Sequence, residues 1–200
     1  MKRREALKNI GISIGYTAVA PTAISILQSC TSTPKSWKPQ FLTEDQGIVV
    51  QHLIDLILPK TNASPGALEV NVPAFIDLIA LKVYQPEAQN NFRNTMTAIV
   101  NELLTKKNTG FKTANLKPSD YDSLLAKYLK STQKDRNAFN KVEKIVHKGL
   151  VDLRAKAVWA YKNSEQIGEN VLAYNPIPGY YANCVDLDET TDGKAWSLQS

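Results

Sequence analysis

Two cysteines and two histidines in 200 residues leave little for metal or redox chemistry. No Cys-x-x-Cys-His occurs, so no c-type haem attaches to this chain. No Gly-x-Gly-x-x-Gly follows a predicted strand, and no His-Glu-x-x-His is present, so neither a dinucleotide fold nor a zinc-hydrolase helix is visible. His52 and His147 fall in separate predicted helices. They read as surface or half-buried helix residues rather than metal ligands. No catalytic, cofactor-binding or metal-ligating residue is assigned. Charge of one sign is scarce too. The formal net charge is +5, but Lys2, Arg3, Arg4 and Lys8 against Glu5 put +3 of it in the first eight residues, leaving +2 for the rest. Phosphate binding needs clustered positive charge, so nucleic acid is not an expected partner.

What is present begins at the N-terminus. Arg3-Arg4 precedes Leu7-Lys8 and a mildly apolar run, Ile10 to Leu27, thinned by glycine, serine, threonine and Pro21. A basic head, an apolar middle and a small residue before a processing point make a secretory signal. The arginine pair points to the Tat route, which carries folded proteins. Leu27 and Ser29 before Cys30 resemble a bacterial lipobox with an unusual Gln28, which makes Cys30 the expected lipidation site and the mature first residue. The competing reading is a retained anchor. About 18 helical residues reach about 27 Å, barely a bilayer core, and the polar and small residues weaken that reading. The expected organisation is a cleavable leader over 1–29, a tether over 30–40 and one domain over 41–200. About 170 residues outside the leader are enough for a single core without staples.

The mature part predicts an all-α fold, a single bundle of about five helices with a long irregular C-terminal segment. Thr43 and Gln46 form a capping box ahead of Val49, Val50, Leu53, Ile54, Ile57 and Leu58, and Pro59 closes the run. Lys60 to Asn71 is a loop whose ends are fixed by packing; a contact-bearing loop and a plain connector are both open readings. Val72-Pro73 and Pro86-Glu87 each place proline at a helix start. Phe75, Ile76, Ile79, Ala80 and Val83 form the expected inner face of the second helix. Phe92, Met96, Ile99, Val100, Leu103 and Leu104 form that of the third. Ser119 or Asp120 caps a fourth with Tyr121, Leu124, Leu125, Tyr128 and Leu129 inward. A fifth is expected from about Asp135 to Tyr161, with Phe139, Val142, Val146, Leu150, Leu153 and Ala157 inward and a basic outer face. Gly149 in its middle marks close helix packing. From Ser164 onward glycine and proline break helices, while Tyr174, Tyr180, Tyr181 and Trp196 argue against disorder. This tail wraps either its own domain or another chain.

Taken in order, several strings resemble the gluconate 2-dehydrogenase subunit 3 family. They are Phe41-Leu42-Thr43, Ile57-Leu58-Pro59 with Thr61, Ser64-Pro65-Gly66-Ala67, and Val72-Pro73-Ala74-Phe75-Ile76-Asp77. Tyr174-Asn175-Pro176-Ile177-Pro178-Gly179-Tyr180, Asn183-Cys184-Val185, Asp192-Gly193 and Trp196 follow, so the resemblance runs from about Phe41 to Ser200. It implies an accessory role without catalytic residues. The implied partner is a large FAD-dependent flavoprotein of the glucose-methanol-choline (GMC) type that oxidises a sugar or sugar acid. FAD belongs to that partner, and a multihaem cytochrome c, with haem c in a third subunit, often takes the electrons. On this reading the small subunit supports folding of the flavoprotein and escorts it through Tat export to the periplasm, where a lipid on Cys30 holds the pair at the membrane. Cys184, with Tyr180 and Trp196, then becomes a candidate intersubunit contact or disulfide. Two readings compete: a freestanding envelope lipoprotein that binds another protein, and an independent metal enzyme using the two distant histidines.

Overall fold

The computed structural model describes residues 37–105, 107, 112–175 and 184–197. The chain divides into two units, Met1–Trp37 and Lys38–Ser200. Arg3, Arg4, Cys30 and Tyr180 lie outside the described residues, and the export and lipid expectations lie there with them.

The second unit is all-α, as expected. Five main helices carry it: α1 (Glu44–Ile57), α2 (Val72–Lys82), α3 (Pro86–Leu104), α4 (Pro118–Leu129) and, after the short α5 (Gln133–Ala138), α6 (Lys141–Lys162). Two more short helices follow, α7 (Glu165–Asn170) and α8 (Leu187–Thr191). Among the described residues there is no strand, only a single parallel bridge between Ala173 and Trp196. No helix among them is long and apolar enough to cross a membrane.

Helix α6 is the spine, packing against α3, α2 and α4, while α1 packs against α2, α3 and α4. The core is what periodicity predicts for α1 and the inner half of α6. Val49, Val50, Leu53, Ile54, Val146, Leu150, Leu153 and Ala157 are all buried, alongside Met96, Ile99, Tyr121 and Tyr128. Thr43 caps α1 with its side chain on the Gln46 amide, and Gln46 returns the bond, as its spacing requires. Gly149 sits where α6 crosses α3. A Cβ there would overlap the Thr95 methyl, so glycine sets the closeness of this crossing.

Four expectations are corrected. The long fifth helix is broken at Phe139-Asn140. The Asn140 carboxamide accepts from the Val142 and Glu143 amides at 2.9 Å, and Glu143 returns a bond to the Asn140 amide at 3.0 Å. That capping box starts a new helix, and Thr132 with Asp135 builds another for α5. Helix α4 takes Lys117 as its N-cap and Pro118 as its start; of the two expected capping residues Asp120 caps, its carboxylate accepting the Lys117 amide from the third position, and Ser119 does not. Three expected core residues face outward instead: Phe75 is 41% exposed, Val142 52% and Val83 66%. The tail, finally, is partly helical and folds onto its own chain. Ile167 of α7 is buried, and Ala173 exchanges backbone hydrogen bonds with Ala195 and Ser197.

Candidate docking face

Helix α2 has two sides with different jobs. Its inner side carries Asp77, which is 2% exposed. That carboxylate accepts the backbone amides of Gln40 at 2.7 Å, Phe41 at 3.2 Å and Leu42 at 2.9 Å. A buried charge needs this many donors to stay buried. The three amides strap the chain segment ahead of α1 against α2. Phe41 is held there between Phe92, 6.2 Å ring to ring, and the Arg93 guanidinium, 4.6 Å above its ring.

The outer side of α2 is apolar and open. Phe75 and Leu78 lie one turn apart and are both exposed, and Val83 follows at the helix end. Across from them α6 presents Trp159, 53% exposed, whose ring stacks on Phe75 at 5.8 Å. Phe75, Val83 and Trp159, with Ile76, Ile79, Tyr84 and Lys156, line a groove of about 490 Å³ that is apolar except for the lysine. Tyr84 and Lys156 also belong to a second furrow of about 600 Å³, between α3 and α6, with Asn91, Asn94, Thr95, Lys148 and Asp152 on its walls. Tyr84 and Lys156 line both, so the two adjoin as a trough with Lys156 where they meet. Single exposed apolar residues are ordinary, but stacked aromatics beside aliphatics in a concave surface mark an interaction site.

The loop between α1 and α2 is held by its own hydrogen bonds and by one from α6. The Thr61 hydroxyl accepts the Ala63 and Ser64 amides at 3.2 and 3.0 Å. The Glu69 carboxylate pairs with Lys60 and accepts the Gly66 amide at 2.9 Å, and these bonds hold it below the usual carboxylate range. Gly66 is needed because a Cβ would run into the Lys60 backbone. From α6, the Tyr161 hydroxyl donates to the Pro65 carbonyl at 2.7 Å. The loop is thereby fixed two residues along α6 from Trp159.

On another side of the bundle, Lys127 of α4 bridges Glu102 of α3 at 2.9 Å and Glu143 of α6 at 2.7 Å. Burial pushes the Tyr128 hydroxyl up to about 12, helped by its bond to Glu102. Burial alone would raise Glu102, but the bonds from Lys127 and Tyr128 outweigh it and hold the carboxyl below its ordinary value. This is a bolt between three helices with every partner spoken for.

The histidines do not meet. His52 is exposed and stacks on Tyr121 at 4.9 Å; His147 is half-buried beside Phe139 at 5.9 Å. Among the described residues no group of histidine, cysteine and acidic side chains is placed to hold a metal. The string Gly11-Ile12-Ser13-Ile14-Gly15 has the spacing of a nucleophile elbow. It lies outside the described residues and carries no argument. Cys184 is an exposed free thiol at φ 53°, just before α8. Trp196 is 40% exposed and engaged in the Ala173 bridge. Neither lines the groove. Asp77 and Trp159 are not singled out by the sequence, though Asp77 stands inside a quoted string; Lys156 belongs there to the basic outer face of the fifth helix and Tyr161 to its end.

The helical bundle and its open aromatic groove define a partner-binding accessory protein. The chain belongs to the gluconate 2-dehydrogenase subunit 3 family, whose model matches residues 44–179. The family is that of an accessory subunit in a membrane-associated, multi-subunit dehydrogenase. No curated protein and no solved structure matches the chain. The match begins at the first residue of α1 and takes in the loop, the strap acceptor Asp77 and the groove. Its end at residue 179 leaves Cys184 and Trp196 outside it.

Proposed function

We propose that this chain is the non-catalytic small subunit of a periplasmic, FAD-dependent dehydrogenase of the GMC type acting on a sugar or sugar acid. It binds the flavoprotein subunit, escorts it through Tat export and stabilises it at the membrane. The observation that carries the reading is the open groove with the stacked Phe75 and Trp159 rings, within the matched span. A protein that works alone has little use for stacked aromatics in water; a subunit covers them with its partner.

The mechanism is one of transport and holding. FAD is available in the cytoplasm, so the flavoprotein folds around it there. A partner without its own signal crosses only when bound to a chain that has one, here Arg3-Arg4. After export, lipid on Cys30 anchors the pair, and a multihaem cytochrome c receives the electrons. Cys184 is exposed and so accessible to a cysteine of the large subunit.

Replacing Arg3 and Arg4 with lysine and following the flavoprotein by fractionation tests the escort. Retention in the cytoplasm is expected; normal export refutes it. Cys30→Ser is expected to release the complex from the membrane fraction. Non-reducing electrophoresis of the complex tests the thiol: an unshifted band, with Cys184→Ser harmless, removes the disulfide.

A further inference from the structure

We infer that the trough along α6 receives an acidic-apolar segment of the flavoprotein subunit, an apolar side chain packing against the stacked Phe75 and Trp159 rings and a carboxylate meeting Lys156. The inference rests on the accessory-subunit reading above and adds the surface and the chemistry of what fills it.

Charge argues for the acid. Lys148 and Lys156 line the trough, and neither has a carboxylate partner among the described residues. Of the acids on these helices, Glu87 is exposed at the start of α3 and Asp152 lines the trough, while the others are engaged elsewhere. Asp77 points inward to three backbone amides, and Glu143 is held by Lys127. Asp152 is the single acid lining the trough, so the surface there carries net positive charge. Lys156 lies over the Tyr84 ring at 6.0 Å, poised at the boundary between the apolar groove and the amide-lined furrow. A carboxylate arriving there meets a cation already placed beside the pocket that takes its apolar neighbour.

Shape argues for a protein segment rather than a bilayer. The surface is concave, with about 490 Å³ at the apolar end and about 600 Å³ at the polar end. A flat lipid surface leaves such a trough unfilled, whereas a protruding chain segment fills it, and Asn91 and Asn94 offer amides to its backbone. A second copy of this chain is disfavoured by symmetry. A two-fold contact brings the same patch against itself, setting the lysine-flanked troughs of the two copies against each other.

The test uses the full chain, tagged and expressed in its native host, with retention of an FAD-containing polypeptide as the readout. Trp159→Glu is expected to weaken retention about 30-fold or more, as loss of a central aromatic anchor does. Lys156→Glu is expected to weaken it about 10-fold and to flatten its salt dependence. Lys134→Glu, an exposed charge reversal on α5, is the control and leaves it unchanged. Unchanged melting curves separate lost docking from lost folding, and Lys156→Glu serves if Trp159→Glu destabilises the bundle. A wild-type chain that retains no flavoprotein defeats the accessory-subunit reading itself. A wild-type chain that retains it, with both variants equally competent, overturns the trough assignment alone. The assignment is also overturned if Trp159→Glu abolishes binding of the Cys30→Ser chain to phosphatidylglycerol vesicles, or abolishes a homodimer seen by sedimentation, while flavoprotein retention stays intact.

Discussion

Replacing Asp77 with alanine removes the acceptor for three amides at once, and the structure dictates what must follow. If the strap over Gln40–Leu42 stayed in place, three amides would lose their partner, at about 1–3 kcal/mol each. The segment has a cheaper exit, because it precedes the first helix and can peel into water. Peeling exposes Phe41 and Leu42, worth about 1.5–3 kcal/mol each, but it frees backbone worth about 1–2 kcal/mol per residue. Those two terms nearly cancel, so the amide bonds are the margin that holds the strap. The bonds at 2.7 and 2.9 Å are the good ones, and at about 1.5–2 kcal/mol each to a charged acceptor they set a loss of about 3–4 kcal/mol. For a domain of this size that lowers the melting temperature by about 10 °C. Urea unfolding followed by circular dichroism measures the loss. Hydrogen exchange locates it, since the Gln40, Phe41 and Leu42 amides should lose protection while α6 keeps its own. A loss below about 1 kcal/mol, with those three amides as protected as before, would refute the reasoning. Asp77→Asn keeps one acceptor oxygen but turns an NH₂ toward the remaining donors, and should fall between the two.

Other positions make sharper or smaller demands. Gly149→Ala should destabilise by about 1–2 kcal/mol in urea, a steric cost at Thr95 partly offset by better helix propensity, and Thr95→Ala should restore most of it in the double variant. Thr43→Ala breaks the α1 capping box and should cost about 1 kcal/mol by the same measurement. Glu102 and Glu143 have folded-state pKa values below their ordinary 4.5, so the stability they confer is present above that pH and is lost as the pH falls through the folded values. Lys127→Met should flatten the fall in melting temperature on that acid side. At the other end, Tyr128 is raised from 10.0 to about 12, so its contribution falls as the pH rises across that interval; Tyr128→Phe should remove that alkaline loss from the melting curve.

Much of this architecture is legible because local signals agree. Thr43 with Gln46, Pro73 and Pro86 each mark a helix start by a single mechanism, and the buried stripe of α1 has no competing reading. The break before α6 was equally written, as Asn140 followed by Glu143. The apolar spacing Phe139, Val142, Val146 in the sequence hides it, although Val142 is exposed and α5 buries no side chain. Asp77 was not legible at all. A carboxylate among apolar neighbours looks like a surface position, and the amides it serves lie more than thirty residues earlier.

The residues misplaced by periodicity have a common cause. Helical spacing reports that a side chain is apolar and shares a face with others; it cannot report whose core that face completes. Phe75 and Val83 were expected inside, on the evidence that Ile76 and Ala80 satisfy, yet they stand open at 41% and 66% while those neighbours are buried. An apolar stripe wider than one helical neighbour can cover has a surplus edge. On α2 that surplus meets Trp159 from α6, and the two edges together form the groove. On α6 the exposed Ile145 sits farther along the same trough. Part of the surplus stays scattered, as Leu78, Val142 and Val158 do, but Phe75 and Val83 meet Trp159 of α6 in one concavity. That convergence is expected if the stripe was shaped by two cores, one within this chain and one shared with the subunit it accompanies.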